Sequence, residues 1–203
     1  MHKRIIHYIY INYIKISQLL CYMMFFKYLL LVPLIIKNLK PIQTEKTIVL
    51  KSYLGKWYQM ATSRSTSLLG TGVNFKNVSA EYELLNNSLL GVYNSGYNAK
   101  NNFTSIRGYS YINGDSETKR KLHFDGVPVD GNYWIVKLGP IKDKTYRYAI
   151  VSGALTRFFG TRFSLYVLAR DRDEYKLNYE QEVKQWCKEN NFKFYWNKYI
   201  ATN

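Results

Sequence analysis

From residue 55 onward, apolar and polar positions alternate in short runs, and turn-forming residues stand between the runs. This pattern predicts strands at Gly55–Ser63, Val78–Leu84, Leu89–Tyr97, Thr104–Ile112, Lys121–Phe124, Tyr133–Leu138, Tyr146–Ser152 and Leu165–Arg170. Asn86-Asn87, Asn98–Asn102, Asn113-Gly114-Asp115, Asp130-Gly131-Asn132 and Gly139-Pro140 supply the turn chemistry between them. Runs this short, joined by connections this short, favour antiparallel hairpins over crossovers and read as an all-β barrel or sandwich.

The period changes near the C-terminus. Leu177–Glu189 (LNYEQEVKQWCKE) reads as one amphipathic helix, with Leu177, Val183, Trp186 and Cys187 on a shared face and Glu and Lys elsewhere. Asn190-Asn191 ends it. The tail Phe192–Trp196 alternates again and is expected as a short extra strand.

The first forty residues follow neither pattern. Leu19–Ile36 is apolar apart from Lys27, and Lys3 and Arg4 precede it. The stretch Tyr28–Ile36 has the length of a signal-peptide core, whereas Leu19–Ile36 is just long enough for a membrane anchor, so residues 1–40 are expected to be one or the other. Either makes the protein secreted or membrane-associated, with residues 41–203 as the folded domain. Gln18-Leu19-Leu20-Cys21 fits a lipidation box poorly.

Composition agrees with strands, since aromatic residues make up 17% of the chain and 20 of them are Tyr. The formal charge of +15 raises the question of nucleic acid. Six of the basic residues and no acidic ones lie in residues 1–40, and the others are scattered, as at Lys119–Lys121 and Lys142–Lys144. A nucleic-acid partner is therefore not expected. Cys21 and Cys187 lie in separate regions and indicate no disulfide framework.

The segment Tyr53-Leu54-Gly55-Lys56-Trp57-Tyr58 resembles the Gly-x-Trp opening of the lipocalins, and Tyr166-Val167-Leu168-Ala169-Arg170 resembles the family's last strand with its terminal Arg. The likeness continues through Asn77–Tyr82, Asn94–Asn98, Tyr133–Val136 and Tyr148–Gly153, and the chain is similar to the bacterial outer-membrane lipocalin and apolipoprotein D branch. The family's Thr-Asp-Tyr signature is represented only by Lys144-Thr145-Tyr146. The resemblance implies an eight-stranded antiparallel up-and-down barrel with the helix packed on its outside. It also implies that Arg170 lies across Trp57 at the closed end, beside Gly55.

With Trp57 taken as inward, alternation along the strand places Gln59, Ala61 and Ser63 inside as well. The same reasoning gives Val78, Ala80, Tyr82 and Leu84, and then the remaining candidate lining: Leu90, Val92, Asn94, Ile106, Leu122, Phe124, Tyr133, Ile135, Tyr166 and Leu168. Of these, Ala61, Ala80, Tyr82, Leu90, Val92, Asn94, Ile106, Leu122, Phe124, Tyr133, Ile135 and Tyr166 are the expected ligand contacts. Leu84 and Leu168 are expected to be structural.

Such a lining suits a fatty acid, lysophospholipid, sterol or similar molecule. The alternative is a barrel filled by its own large side chains and acting as a protein-interaction scaffold through its open-end loops. No metal or cofactor is expected, and no catalysis: His2 and His7 lie in the leader and His123 on an outward face. Asn77, Asn86 and Asn102 stand in glycosylation sequons. The sequence leaves the oligomeric state open.

Overall fold

A computed structural model describes residues 42–69, 74–157 and 160–202. Residues 1–41, with Cys21, and Phe158-Phe159 of the aromatic segment Arg157–Gly160 lie outside the described residues.

Eight long strands form one closed antiparallel barrel: β1 (Gly55–Thr62), β2 (Lys76–Leu84), β3 (Leu89–Tyr97), β4 (Phe103–Ile112), β5 (Lys119–Phe124), β6 (Gly131–Leu138), β9 (Tyr148–Arg157) and β10 (Gly160–Ala169). Each pairs with the next in this order, and β10 pairs back onto β1 with Gln59 opposite Leu168, which removes the free edges of an open sheet. A four-residue helix, α1 (Leu50–Tyr53), precedes β1. The first turn of β1 and the hairpins β2–β3, β4–β5 and β6–β9 lie at one end, which is closed. The hairpin β3–β4, the connection β5–β6 and the start of β10 surround the open end.

Three expectations are corrected. The predicted strand over Tyr146–Ser152 is divided: β7 (Ile141–Lys142) and β8 (Thr145–Tyr146) form a small hairpin of their own, and β9 starts at Tyr148. Positive φ at Asp143 and Lys144 makes the tight turn. In place of the missing signature, the backbone N–H of Val49 donates to the Tyr146 hydroxyl at 2.9 Å and ties this hairpin to α1.

The C-terminal helix begins earlier and is broken. Asp171 caps α2 (Arg172–Asn178) by accepting from the Glu174 N–H at 2.7 Å, and Tyr179 separates α2 from α3 (Glu180–Glu189). The i→i−4 bonds from the Tyr179 N–H to the Tyr175 carbonyl and from the Val183 N–H to the Tyr179 carbonyl carry one helical phase across the break. Tyr175, Tyr179, Val183 and Cys187 therefore share the inner face, while Leu177, about 120° around the helix from Val183, is 84% exposed. The carboxylate of Glu174 pairs with Arg147, fastening α2 to the closed end. The tail Phe192–Trp196 forms turns, and the extra strand lies further on: β11 (Ile200–Ala201) pairs with β1.

Two buried clusters result. Between the helices and the outer barrel wall lie Met60, Ala61, Val136, Tyr148, Ile150, Leu165 and Val167 with Tyr175, Val183, Cys187 and Phe192. Inside the barrel lie Tyr53, Trp57, Ala80, Tyr82, Val92, Tyr133, Ile135, Tyr146, Ala149, Val151 and Leu168.

Candidate functional site: the barrel interior

The floor is built first, from α1 and the start of β1. Gly55 has φ +90°, a conformation rarely open to other residues, and a Cβ there would stand 3.4 Å from Arg170 Nη1. This turn aims the fully buried Trp57 inward, where its indole N–H donates to the Tyr53 carbonyl at 2.8 Å. Arg170, at the end of β10, lies with Cζ 3.8 Å from the Trp57 ring centre. Its guanidinium also donates to the carbonyls of Ser52, Tyr53, Leu54 and Lys56 at 2.7–3.0 Å. It thereby satisfies the end of α1 and seals the floor. Burial draws its pKa down to about 10, so it stays charged at neutral pH.

A second buried cation was not foreseen. Arg120, in the run read as scattered surface charge, is 2% exposed and lies on the inner face of β5. Its guanidinium donates to Ser110 Oγ at 2.9 Å, the Ser110 carbonyl at 2.9 Å and the Ser88 carbonyl at 2.6 Å. Both floor cations therefore bond to neutral oxygens, and the closed end of the interior is electropositive.

Above the floor three tyrosines form a chain. Tyr53 and Tyr133 share a hydrogen bond at 2.6 Å, and the Tyr133 hydroxyl donates to that of Tyr82 at 2.8 Å. Three hydroxyl protons serve two bonds, which leaves one donor for another acceptor. Burial raises all three pKa values, that of Tyr82 to about 12, and the chain is therefore uncharged at neutral pH.

Among the expected contacts, Ala80, Tyr82, Val92, Tyr133 and Ile135 lie in the interior cluster, with Leu122, Phe124 and Tyr166 half-buried against it. The register places Asn94 and Ile106 on the same face, opposite Ala80 and each other, and Leu90 opposite Ser110 near the floor. Ala61 does not join them. A β-bulge between Gln59 and Ala61 puts Ala61 opposite Val167 instead of an inward partner, and Met60 and Ala61 both pack outward beneath the helices. Thr62, opposite Tyr166, takes the inward phase. Ser63 turns to bond the Leu165 N–H at 3.0 Å, and Leu84 is 46% exposed at the closed end. Ala149 and Val151 complete the lining; alternation along β9 indicates them once Leu168 is fixed on the strand beside it.

Two further polar groups stand among the lining. Gln59, 4% exposed and opposite Leu168, has a buried Nε2 with no hydrogen-bond partner, and Asn94 has a buried Oδ1 in the same condition. A buried amide left without a partner costs about 1–3 kcal/mol. On β2 the carboxylates of Glu81 and Glu83 alternate with Ala80 and Tyr82 and so face outward. Among the described residues no cluster of three or more His, Cys, Asp or Glu has the arrangement of a metal site. His123 is on the outer face of β5, bonded through Nδ1 to Asp130 at 2.8 Å.

Residues 48–195 match the family model of the lipocalin-like domain, which spans the whole barrel and both helices. The chain belongs to the lipocalin family. Among its lipocalin relatives is the outer membrane lipoprotein Blc of Vibrio cholerae, 33% identical over 111 residues, which are 54% of this chain and 60% of that protein. The match thus spans less than two thirds of that relative. Temperature-induced lipocalin-1 of Arabidopsis thaliana is 25% identical over 157 residues, 74% of this chain and 77% of that one. Lobster apocrustacyanin A1 shares the fold at TM-score 0.56 and 19% identity, over 74% of this chain and 77% of its own. The amine binding protein of Rhodnius prolixus, solved as its tryptamine complex, does so at TM-score 0.51 and 13% identity, over 80% and 84%. Lipocalin membership implies the binding of small hydrophobic molecules, and lipocalins are in general binding proteins without enzymatic activity.

Proposed function

We propose that this lipocalin is a carrier, secreted or membrane-associated, that holds one hydrophobic molecule of fatty-acid, lysophospholipid or sterol type and catalyses no reaction. The observation that carries this reading is the pair of unpartnered amides, Gln59 Nε2 and Asn94 Oδ1, in an interior lined mainly by apolar side chains and hydrogen-bonded tyrosines. A side chain recruited only to fill a core would be apolar, whereas isolated polar groups in such a lining are what orients a ligand. A neutral or anionic ligand fits, because Arg170 and Arg120 make the floor positive and, among the described residues, the strands offer no inward carboxylate. For the same reason the amine ligand named for the Rhodnius protein is not carried over. The outer membrane relative accords with action at or beyond a membrane.

The test is native mass spectrometry of the purified protein with extraction of co-purified lipid, followed by titration of the stripped protein with a fluorescent fatty acid. Binding of one probe molecule at roughly micromolar Kd, about 8 kcal/mol, is expected. A stripped protein that binds neither the probe nor a sterol analogue would leave the filled-barrel scaffold as the better account.

A further inference from the structure

We propose that the open end of the barrel docks, mouth first, on an anionic phospholipid surface. Large apolar side chains are exposed on three separate connections around this end. Tyr97 and Phe103 flank the tip of the β3–β4 hairpin with their rings 5.6 Å apart, and Phe103 is 58% exposed. Val127 and Val129 lie exposed on the β5–β6 connection. Phe194, Tyr195 and Trp196 form three consecutive exposed aromatic residues in the tail, held to the mouth by the Ser65 N–H donating to the Trp196 carbonyl at 2.8 Å.

Cations accompany these groups. Arg64 lies 4.7 Å from the Tyr195 ring centre and Arg162 lies 4.4 Å from that of Trp196, while Lys76, Lys100 and Lys193 are exposed nearby in sequence or pairing. The carboxylates of the described rim connections are Asp125 and Asp130, and Asp130 is taken up by the Tyr111 hydroxyl at 2.6 Å and His123 at 2.8 Å. The closed end differs: its exposed Leu84, Leu85 and Ile141 are aliphatic, and Glu83, Asp115, Glu117 and Asp143 stand among its lysines.

Tryptophan, tyrosine and basic residues together favour the boundary between headgroups and acyl chains, where the ring is half-immersed and the cation meets lipid phosphate. Scattered aromatics on a monomer surface need no such explanation, but here they share one end with the mouth and with unpaired positive charge. Docking in this orientation would open the interior directly toward the bilayer.

Trp196 is its own reporter. The chain has four tryptophans. Trp57 is buried and Trp134 and Trp186 are packed in the barrel wall and helix, while residues 1–40 contain none. Full-length protein is mixed with vesicles of brominated phosphatidylcholine and phosphatidylglycerol, and emission is followed. Quenching of roughly one tryptophan's share is expected, absent in Trp196→Phe and in purely zwitterionic vesicles, and reduced by high salt. In the double variant Arg64→Glu, Arg162→Glu, partition of the mouth should weaken about tenfold or more. Phe103→Ser, on a hairpin that does not touch the tail, should also reduce the quenching. The proposal is overturned if vesicle-bound protein leaves Trp196 unquenched, or if the quenching is the same in Trp196→Phe, in zwitterionic vesicles or in both rim variants.

Discussion

Arg170 covers one face of the Trp57 indole, with Cζ 3.8 Å from the ring centre, while its hydrogen bonds hold the carbonyl end of α1. The two residues are thus one closure and not two independent contacts. Trp57→Ala removes a fully buried ring and should cost about 3–5 kcal/mol. Arg170→Lys keeps the charge but cannot reach four carbonyls at once, and should cost about 1–3 kcal/mol. Chemical denaturation measures both, and an unchanged midpoint in Trp57→Ala would contradict the closure.

Gln59 separates binding from stability. In the ligand-free protein its Nε2 has no partner, so Gln59→Met, similar in size, should leave the protein equally stable or up to about 1–3 kcal/mol more stable. Ligand affinity should nevertheless fall, because the orienting donor is gone. Denaturation and probe titration on the same preparation check the two signs. A variant that loses both stability and affinity would show Gln59 to be structural.

Space in the interior is tested by filling it. Ala80→Trp and Val92→Trp place a large ring inside the barrel and should weaken probe binding at least about tenfold, on the order of 1.4 kcal/mol. Glu81→Trp, on the exposed outer side of the same strand, should leave it unchanged. Equal binding by all three would contradict an interior site.

The buried tyrosines set an alkaline limit. Burial lifts Tyr82 to about 12 and raises Tyr53 and Tyr133 as well, whereas an unfolded tyrosine ionises near 10. Above that lower value the unfolded chain binds fewer protons than the folded one, so stability falls as pH rises. This contribution is complete below about pH 10 and is lost progressively toward 12. The denaturation midpoint measured from pH 8 to 11 should drop steeply above 10. Tyr82→Phe should make the drop shallower while lowering stability at neutral pH.

Residues 41–203 should fold when expressed alone, since the described residues of that range alone build both buried clusters and close the barrel. Circular dichroism and denaturation of this fragment check it. Aggregation cured only by restoring residues 19–40 would give those residues a structural part.

How far the interior is legible in the sequence depends on how local the determining interaction is. The strands and most of their inward positions follow from the two-residue pleat once Trp57 fixes the phase. That phase runs correctly through Gln59 and then fails, because no residue type marks the bulge after it. Arg120 is illegible for a different reason. It stands between two lysines, and the carbonyl that it holds at 2.6 Å belongs to Ser88, in a hairpin 32 positions away. Leu177 is misplaced because six residues before Val183 is about 120° around a helix, and the face of Val183 and Cys187 runs back through Tyr179 and Tyr175 instead. Tyr53 stands two residues before the glycine of the Gly-x-Trp motif, yet only the fold shows it joined to Tyr133.

The bulge in β1 also bears on how this chain can be compared with its relatives. Upstream of Met60 a residue of β1 can be equated with its counterpart position by position. Downstream, an ungapped pairing with a relative whose first strand is regular would exchange wall for lining, matching Ala61 to a ligand-facing residue and Thr62 to an outer one. Ligand preferences transferred across that point would be inverted in polarity, so any inventory of family contacts at this strand needs a one-residue gap before it has meaning.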